Sequence, residues 1–206
     1  MKKGLTKRKL QALETRNKII DCALELFEEK GFNNVSMDMI AEKSNTSIGS
    51  IYYYFSGKEE MAAQTTLLLD EKYDDFLEDL INNEAYKHLS PLEKLIEYYI
   101  FVQLRSTELK SLNFAYIHDL KNEDLKVLRL GKNRIIYKNY IRLLQLCRDE
   151  ELLIDDISDE EIIRILTYGS RGLLVDWMIG NRGFDISSEA RLLINTIFEG
   201  IRKKDV

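Results

Sequence analysis

A single proline, Pro91, interrupts 206 residues, and only ten glycines accompany it. A chain with so few breakers has little material for the closely spaced turns of an all-β architecture. It does have uninterrupted helical periodicity. In the first strong segment Ile20, Ala23, Leu24 and Phe27 recur at i, i+3, i+4 and i+7, with Ile19 and Leu26 widening the apolar face. Strict apolar/polar alternation over strand lengths is absent. The expected fold is all-α.

Helix ends are marked at several points. Gly31 follows Lys30, and glycine readily takes the positive φ that ends a helix. Ser56 with Glu59, Ser90 with Glu93 and Ser158 with Glu161 each have the spacing of a capping box. Pro91 falls at the first helical position, where its missing N–H is not needed. Asp185 to Ser188 supply cap candidates for a last helix, whose apolar positions include Ala190, Leu193, Ile194, Ile197 and Ile201. These signals predict about nine helices, at 12–30, 37–44, 47–54, 58–81, 91–105, 108–120, 123–150, 158–180 and 187–203. Short helices with short joins precede residue 58 and longer amphipathic ones follow. The predicted division is therefore 1–57, beginning with a basic arm at 1–11, and 58–206.

The charge distribution is uneven. The formal net charge is −5, yet the first 20 residues hold seven basic side chains against Glu14 alone. Such asymmetry suggests that the two ends face different partners. Cys22 and Cys147 stand far apart without metal-ligand spacing, so free thiols are expected and neither a disulfide framework nor a zinc site. The histidines, His88 and His118, have no nucleophile or ligand partner at informative spacing, and no GxSxG, HExxH or glycine-rich phosphate loop occurs. Neither catalysis, a metal nor a cofactor is expected. No apolar stretch approaches the length of a membrane span, and no apolar run follows the charged start at Lys2 and Lys3, so a cytoplasmic protein without membrane association is expected.

Residues 35–58, VSMDMIAEKSNTSIGSIYYYFSGK, concentrate the informative chemistry. A short helix with Met37, Ile40 and Ala41 inward leads through Ser44-Asn45-Thr46, all turn or cap formers, into a second short helix. At 100° per residue Ile51 and Phe55 share its inner side, with Ile48 and Tyr52 flanking that stripe. Thr46, Ser50 and Tyr53 point the opposite way, bordered by Gly49 and Tyr54. Two short helices around a tight turn form a helix-turn-helix, whose second helix can enter the major groove of duplex DNA. Small hydroxyls approach phosphates closely, Gly49 removes bulk where base edges would lie, and Tyr53 can pack on a sugar or donate to a phosphate. Lys58 can add a point charge toward the phosphate backbone. Ile48 is expected to favour core packing over contact with a thymine methyl.

Residues 14–61 resemble the DNA-binding domain of TetR-family transcriptional regulators. The resemblance rests on Gly49-Ser50-Ile51-Tyr52-Tyr53-Tyr54-Phe55 followed by Lys58-Glu59-Glu60, and on ETRNKIIDCALELFEEKGF upstream. Tyr54 departs from it, standing where the family often has histidine. The resemblance implies DNA contacts from Ser36, Thr46, Ser47, Gly49, Ser50, Tyr52, Tyr53 and Lys58. It also implies a helical effector-binding and dimerisation body after residue 61, and a repressor that a small-molecule effector releases from a palindromic operator.

In that body the last two helices are the best candidates for a homodimer interface. Ile162, Ile165, Leu166, Leu173, Trp177 and Ile197 supply more apolar surface than one helical layer hides, and Gly169 permits close helix approach. For an effector pocket the central helices offer Tyr98, Phe101, Phe114 and Tyr137 near Arg105 and His118, an aromatic lining with a few polar groups. The competing interpretation is a helical ligand- or protein-binding module without DNA binding. The hydroxyl-bearing, acid-free side at 46–50 weighs against it.

Overall fold

The structure is a computed structural model that describes residues 7–109, 131–179 and 183–203. Among the described residues eight α-helices appear: α1 (Lys7–Lys30), α2 (Met37–Ser44), α3 (Ile48–Tyr54), α4 (Lys58–Asn82), α5 (Pro91–Ser106), α6 (Ile135–Asp149), α7 (Asp159–Ile179) and α8 (Ile186–Ile201). The all-α expectation holds. Two compact units divide the chain: one includes residues up to Leu67, the other includes Leu68–Glu108 and the described residues after Leu130. The helix α4 spans this boundary, so the division between the units falls inside a helix.

In the first unit α1 packs on α2 and α2 on α3. Ile19, Ile20, Ala23, Leu26 and Phe27 of α1 are buried, along with Ile40 and Ala41 of α2 and Ile51 of α3. Fully burying one such Ile or Phe contributes about 1.5–3 kcal/mol, enough for these short helices to be held by packing. The backbone of Gly31 has φ 81° and its N–H bonds to Phe27 O at 2.9 Å, ending α1 as expected. Asn45 takes a left-handed φ of 51° and makes the tight turn between α2 and α3. The first helix begins at Lys7, earlier than predicted. Residues 7–11 of the predicted arm are therefore helical: Lys, Arg, Leu and Gln favour helix intrinsically even where no apolar stripe announces it.

The second unit is built around α5, which packs against α6, α7 and α8; α7 also packs on both α6 and α8. The capping boxes at Ser90/Glu93 and Ser158/Glu161 form as predicted. Asp185 caps α8, accepting from Ser187 N and Ser188 N. The box at Ser56 differs. Its N–H and Oγ donate to Glu60 at 2.7 and 2.9 Å, not to Glu59, because α4 begins at Lys58 and Glu60 is its third residue. The predicted helix at 123–150 begins, in its described part, only at Ile135. Gly131 and Asn133 are poor helix formers, and a turn there bonds Arg134 N to Gly131 O at 2.9 Å. Most of the predicted helix at 108–120 lies outside the described residues. Arg148 fastens the α6–α7 connection, donating to Asp159 at 3.1 Å and to the carbonyls of Ile154 and Ile157 at 2.5 Å each. No helix among the described residues is long and apolar enough to cross a membrane.

Candidate nucleic-acid interface and effector core

The α3 helix is short because it is closed at both ends. Ser47 accepts from Ser50 N at 3.1 Å to start it, and Phe55 leaves in extended conformation to end it. Ile51 and Phe55 are buried, which fixes the helix's rotation about its axis. That rotation turns Tyr53 outward, 81% exposed, with Tyr52 at 56% and Ile48 at 38%. Ile48 and Tyr52 thus correct the expectation that they flank the core stripe. A helix of two turns can roll by part of a residue's arc without losing its two buried anchors, so periodicity alone could not assign its flanks.

The small residues divide by partner. Thr46 and Ser44 share a hydrogen bond of 2.6 Å, and Ser44 also donates to Ile40 O, so the Thr46 hydroxyl is tied to the turn. Ser47 and Ser50 share one of 2.8 Å on the exposed side. Ser36 is exposed and caps α2, accepting from Met39 N at 3.3 Å. A Cβ added at Gly49 would meet nothing within 4 Å. Nothing inside the protein requires a glycine there. Acidic residues are absent from the first turn of α3.

The cations nearby are committed in ways that spacing did not reveal. The Lys58 ammonium donates to the carbonyls of Phe32, Val35 and Asn33 at 3.0, 3.2 and 3.4 Å and lies 4.7 Å over the Phe32 ring. It therefore ties the start of α4 to the turn ahead of α2, and because its partners are neutral the positive charge is not cancelled. Lys43 pairs with Glu25 and Glu29 of α1 at 3.1 Å each, which raises its pKa and spends it on helix docking. The Arg16 guanidinium lies 5.1 Å over Phe55.

Of the predicted effector residues, Phe114 and His118 lie outside the described residues. Tyr98 is fully buried against the Asn139 amide at 3.1 Å; with the amide oxygen turned to that hydroxyl, the amide nitrogen meets Ile135 O and Asp74 at 3.3 Å. Phe101 stacks on Phe76 with centroids 4.0 Å apart, and Tyr137 is half-buried. Arg105 is paired with Glu108 and lies 5.1 Å over Phe101. Arg134 holds the buried Asp70 through two bonds of 2.6 and 2.7 Å. Burial pushes the Tyr73 phenol up to about 12, though Ser106 lies 3.4 Å from its hydroxyl. Among the described residues two buried side-chain polar atoms have no hydrogen-bond partner: the Tyr99 hydroxyl and Gln103 Nε2. Leaving such a group unsatisfied costs about 1–3 kcal/mol. Gln103 escaped sequence reasoning; its signal was an amide one turn from Tyr99 on an otherwise apolar helix face.

The predicted dimer residues also separate. Ile162 and Leu166 are buried in the protomer's own core, which removes them from any exposed face. Gly169 does permit close approach, but within the protomer: a Cβ there would stand 2.8 Å from Leu193. Leu173, Trp177 and Ile197 are half-buried. The outward apolar positions are Ile165 and Tyr168 on α7, Leu192 on α8 and Ile179 at the end of α7; Tyr168 and Leu192 are each 62% exposed. Both cysteines are free thiols, and burial pushes Cys147 up to about 12, leaving it unreactive. Among the described residues no group of acids, histidines and cysteines could hold a metal ion.

Known proteins match this arrangement along its length. The HTH-type transcriptional regulator AcrR of Shigella flexneri is 25% identical over 201 residues, covering 94% of this chain and 92% of that protein. The HTH-type transcriptional repressor BepR of Brucella suis is also 25% identical, over 94% of this chain and 95% of its own. The Thermus thermophilus FadR, a TetR-family transcriptional repressor solved in complex with lauroyl-CoA, shares the fold with a TM-score of 0.68 at 21% identity, covering 93% of this chain and 97% of its own. Residues 19–65 match the bacterial regulatory proteins of the tetR family, and residues 91–202 match the C-terminal region of MAATS-type transcriptional repressors. The first match contains the helix-turn-helix and the second contains α5 to α8. The chain belongs to the TetR family of DNA-binding transcriptional regulators.

Proposed function

We propose that this regulator represses by placing α3 in the major groove of a palindromic operator, and that an effector bound in the second unit releases it. The contact set is Ser36, Thr46, Ser47, Gly49, Ser50, Tyr52, Tyr53 and Lys58, within a DNA-binding segment at 1–57. The observation that carries this reading is the outer side of α3: a glycine with open space at its Cβ, an exposed tyrosine pair and two serines, with no acid in the first turn. Both tyrosines keep most of their surface in solvent, so their chemistry is available to a partner. Tyr52 and Ile48 face outward too, which supports contact by both, Ile48 with a thymine methyl.

The regulator acts as a cytoplasmic homodimer, because one two-turn helix reads only a few base pairs and a palindrome needs two. Its interface uses Ile165, Tyr168 and Ile179 of α7 with Leu192 of α8, large apolar side chains that these two helices leave exposed among the described residues. Gly172 is exposed between them, with nothing within 4 Å of its Cβ position, and lets a second helix approach closely. The effector lies among Tyr98, Phe101, Arg105 and Tyr137 of the second unit. FadR's complex with lauroyl-CoA supports an effector role for the second unit.

Selection of bound fragments from genomic DNA tests the central claim. Enriched fragments should share an inverted repeat and survive competitor DNA in a mobility shift. A chain that retains no fragment above background at low salt is not an operator-binding protein, and the second unit alone would then define what it does.

A further inference from the structure

We infer that Tyr99 and Gln103 form the polar end of the effector site and select an uncharged ligand that presents a carbonyl-type oxygen. The inference rests on the second unit being an effector domain. Both side chains are fully buried on α5, one helical turn apart and therefore on one face. The Gln103 amide is not free to rotate, because its oxygen accepts from the Ser170 hydroxyl of α7 at 2.8 Å. That bond leaves the amide nitrogen as a donor without an acceptor, one helical turn from a phenol in the same condition. Loose packing does not explain the pair. On the same helix Tyr98 is satisfied by Asn139, and Ser106 donates to Val102 O at 2.8 Å while lying near Tyr73. Two fixed donors without acceptors on a buried face are complementary to an oxygen with two lone pairs.

Charge narrows the ligand class. Asp70 is matched by Arg134 in two bonds, and Arg105 is matched by Glu108. An ionised ligand head seated on Tyr99 and Gln103 would exchange its hydration for two neutral donors, whereas a neutral ketone, ester or amide oxygen loses far less. Burial raises the Tyr99 pKa, so the phenol remains an O–H donor at physiological pH.

The test uses the full chain and three probes of one shape: acetophenone, its isostere α-methylstyrene, in which CH₂ replaces the carbonyl oxygen, and benzoate. Isothermal titration should show acetophenone binding about tenfold tighter than α-methylstyrene, the effect of one buried hydrogen bond, with benzoate weaker than either. Tyr99→Phe and Gln103→Met should each weaken that preference; Tyr99→Phe, which removes only an unpaired hydroxyl, should melt no lower than wild type, whereas Gln103→Met also gives up the bond from Ser170. Binding to genomic fragments reports separately on the regulator. A wild-type chain that prefers acetophenone yet retains no DNA sinks the operator reading and leaves the acceptor site standing. Equal binding of the isosteric pair overturns the inference, as does binding of no probe or tighter binding of benzoate. So does a water bridging Tyr99 and Gln103 in a crystal with acetophenone excluded, since the donors would then serve structure alone.

Discussion

Gly49 isolates recognition from folding. The folded chain has room for a side chain there, and leucine favours helix over glycine, which is about 0.8–1 kcal/mol worse than alanine in a helix. Gly49→Leu should therefore leave the melting temperature unchanged or higher while abolishing specific retardation of operator fragments. Retention of wild-type affinity would remove α3 from the groove. Lys58 mixes the two roles. Its three carbonyl partners predict that Lys58→Ala lowers stability by about 1–2 kcal/mol in denaturant unfolding. If the uncancelled charge also serves the phosphate backbone, the salt slope of DNA binding should fall by about one; a stability loss with an unchanged slope would make Lys58 a structural tie only. Asp185 reports a third kind of effect. Bonds from Ser188 and Ser187 lower its pKa from the ordinary 3.8 to about 2. A depressed acid contributes its stabilisation above the unfolded value and loses it as pH falls through the folded one. Cap stability should therefore drain away between about pH 4 and 2, and Ser188→Ala should move the Asp185 carboxyl titration, followed by NMR, back toward 3.8.

At the scale of elements, α7 presents two apolar sides that differ only in what covers them. Leu166 is buried under its own protomer and Tyr168 is in solvent, two residues along. Leu166→Ala should cost about 2–5 kcal/mol, measured by denaturant unfolding. Tyr168→Glu should leave the fold intact and shift sedimentation toward the monomer. Dimers that persist in Tyr168→Glu would place the interface elsewhere. This helix also shows where sequence reasoning stopped. Ile162, Ile165, Leu166 and Tyr168 all look apolar or aromatic, and period alone cannot distinguish burial within a chain from burial between two. Ends and buried anchors were legible because they are local: Gly31 after α1, Ser90 with Pro91 before α5, Asp185 before α8, and Ile51 with Phe55 inside α3. Interactions across long separations were not. Lys58 reaches back 26 residues to Phe32, Lys43 reaches Glu29 over 14, and Ser170 meets Gln103 over 67. The α3 contact face was legible in outline from its hydroxyls, glycine and missing acids, but the outward turn of Ile48 and Tyr52 required the packing of α1 and α2 to be known.

For the whole molecule, α4 is continuous from the first unit into the second, where its later residues are anchored by Asp70 to Arg134, Lys72 to Glu108 at 3.2 Å and Glu78 to Arg142 at 2.6 Å. The Asp70 pair is largely buried, so removing one partner strands a charge and weakens the unit that would answer to an effector. If two protomers join through α7 and α8, a two-fold axis relates their α3 helices, and the distance between those helices is a property of the dimer. DNA meets that distance only at set half-site spacings. Inserting about 5 base pairs between the halves of a selected operator turns one half-site to the opposite face of the duplex, and about 10 restores the face while lengthening the span. The tight retardation of the native operator should therefore be lost with the half-turn insertion. With the full-turn insertion only the weak binding of a single half-site should remain, and each half-site alone should bind a Tyr168→Glu monomer as poorly. Equal affinity for the native and half-turn operators would mean that each protomer reads its half independently, and the dimer would have no part in recognising the operator.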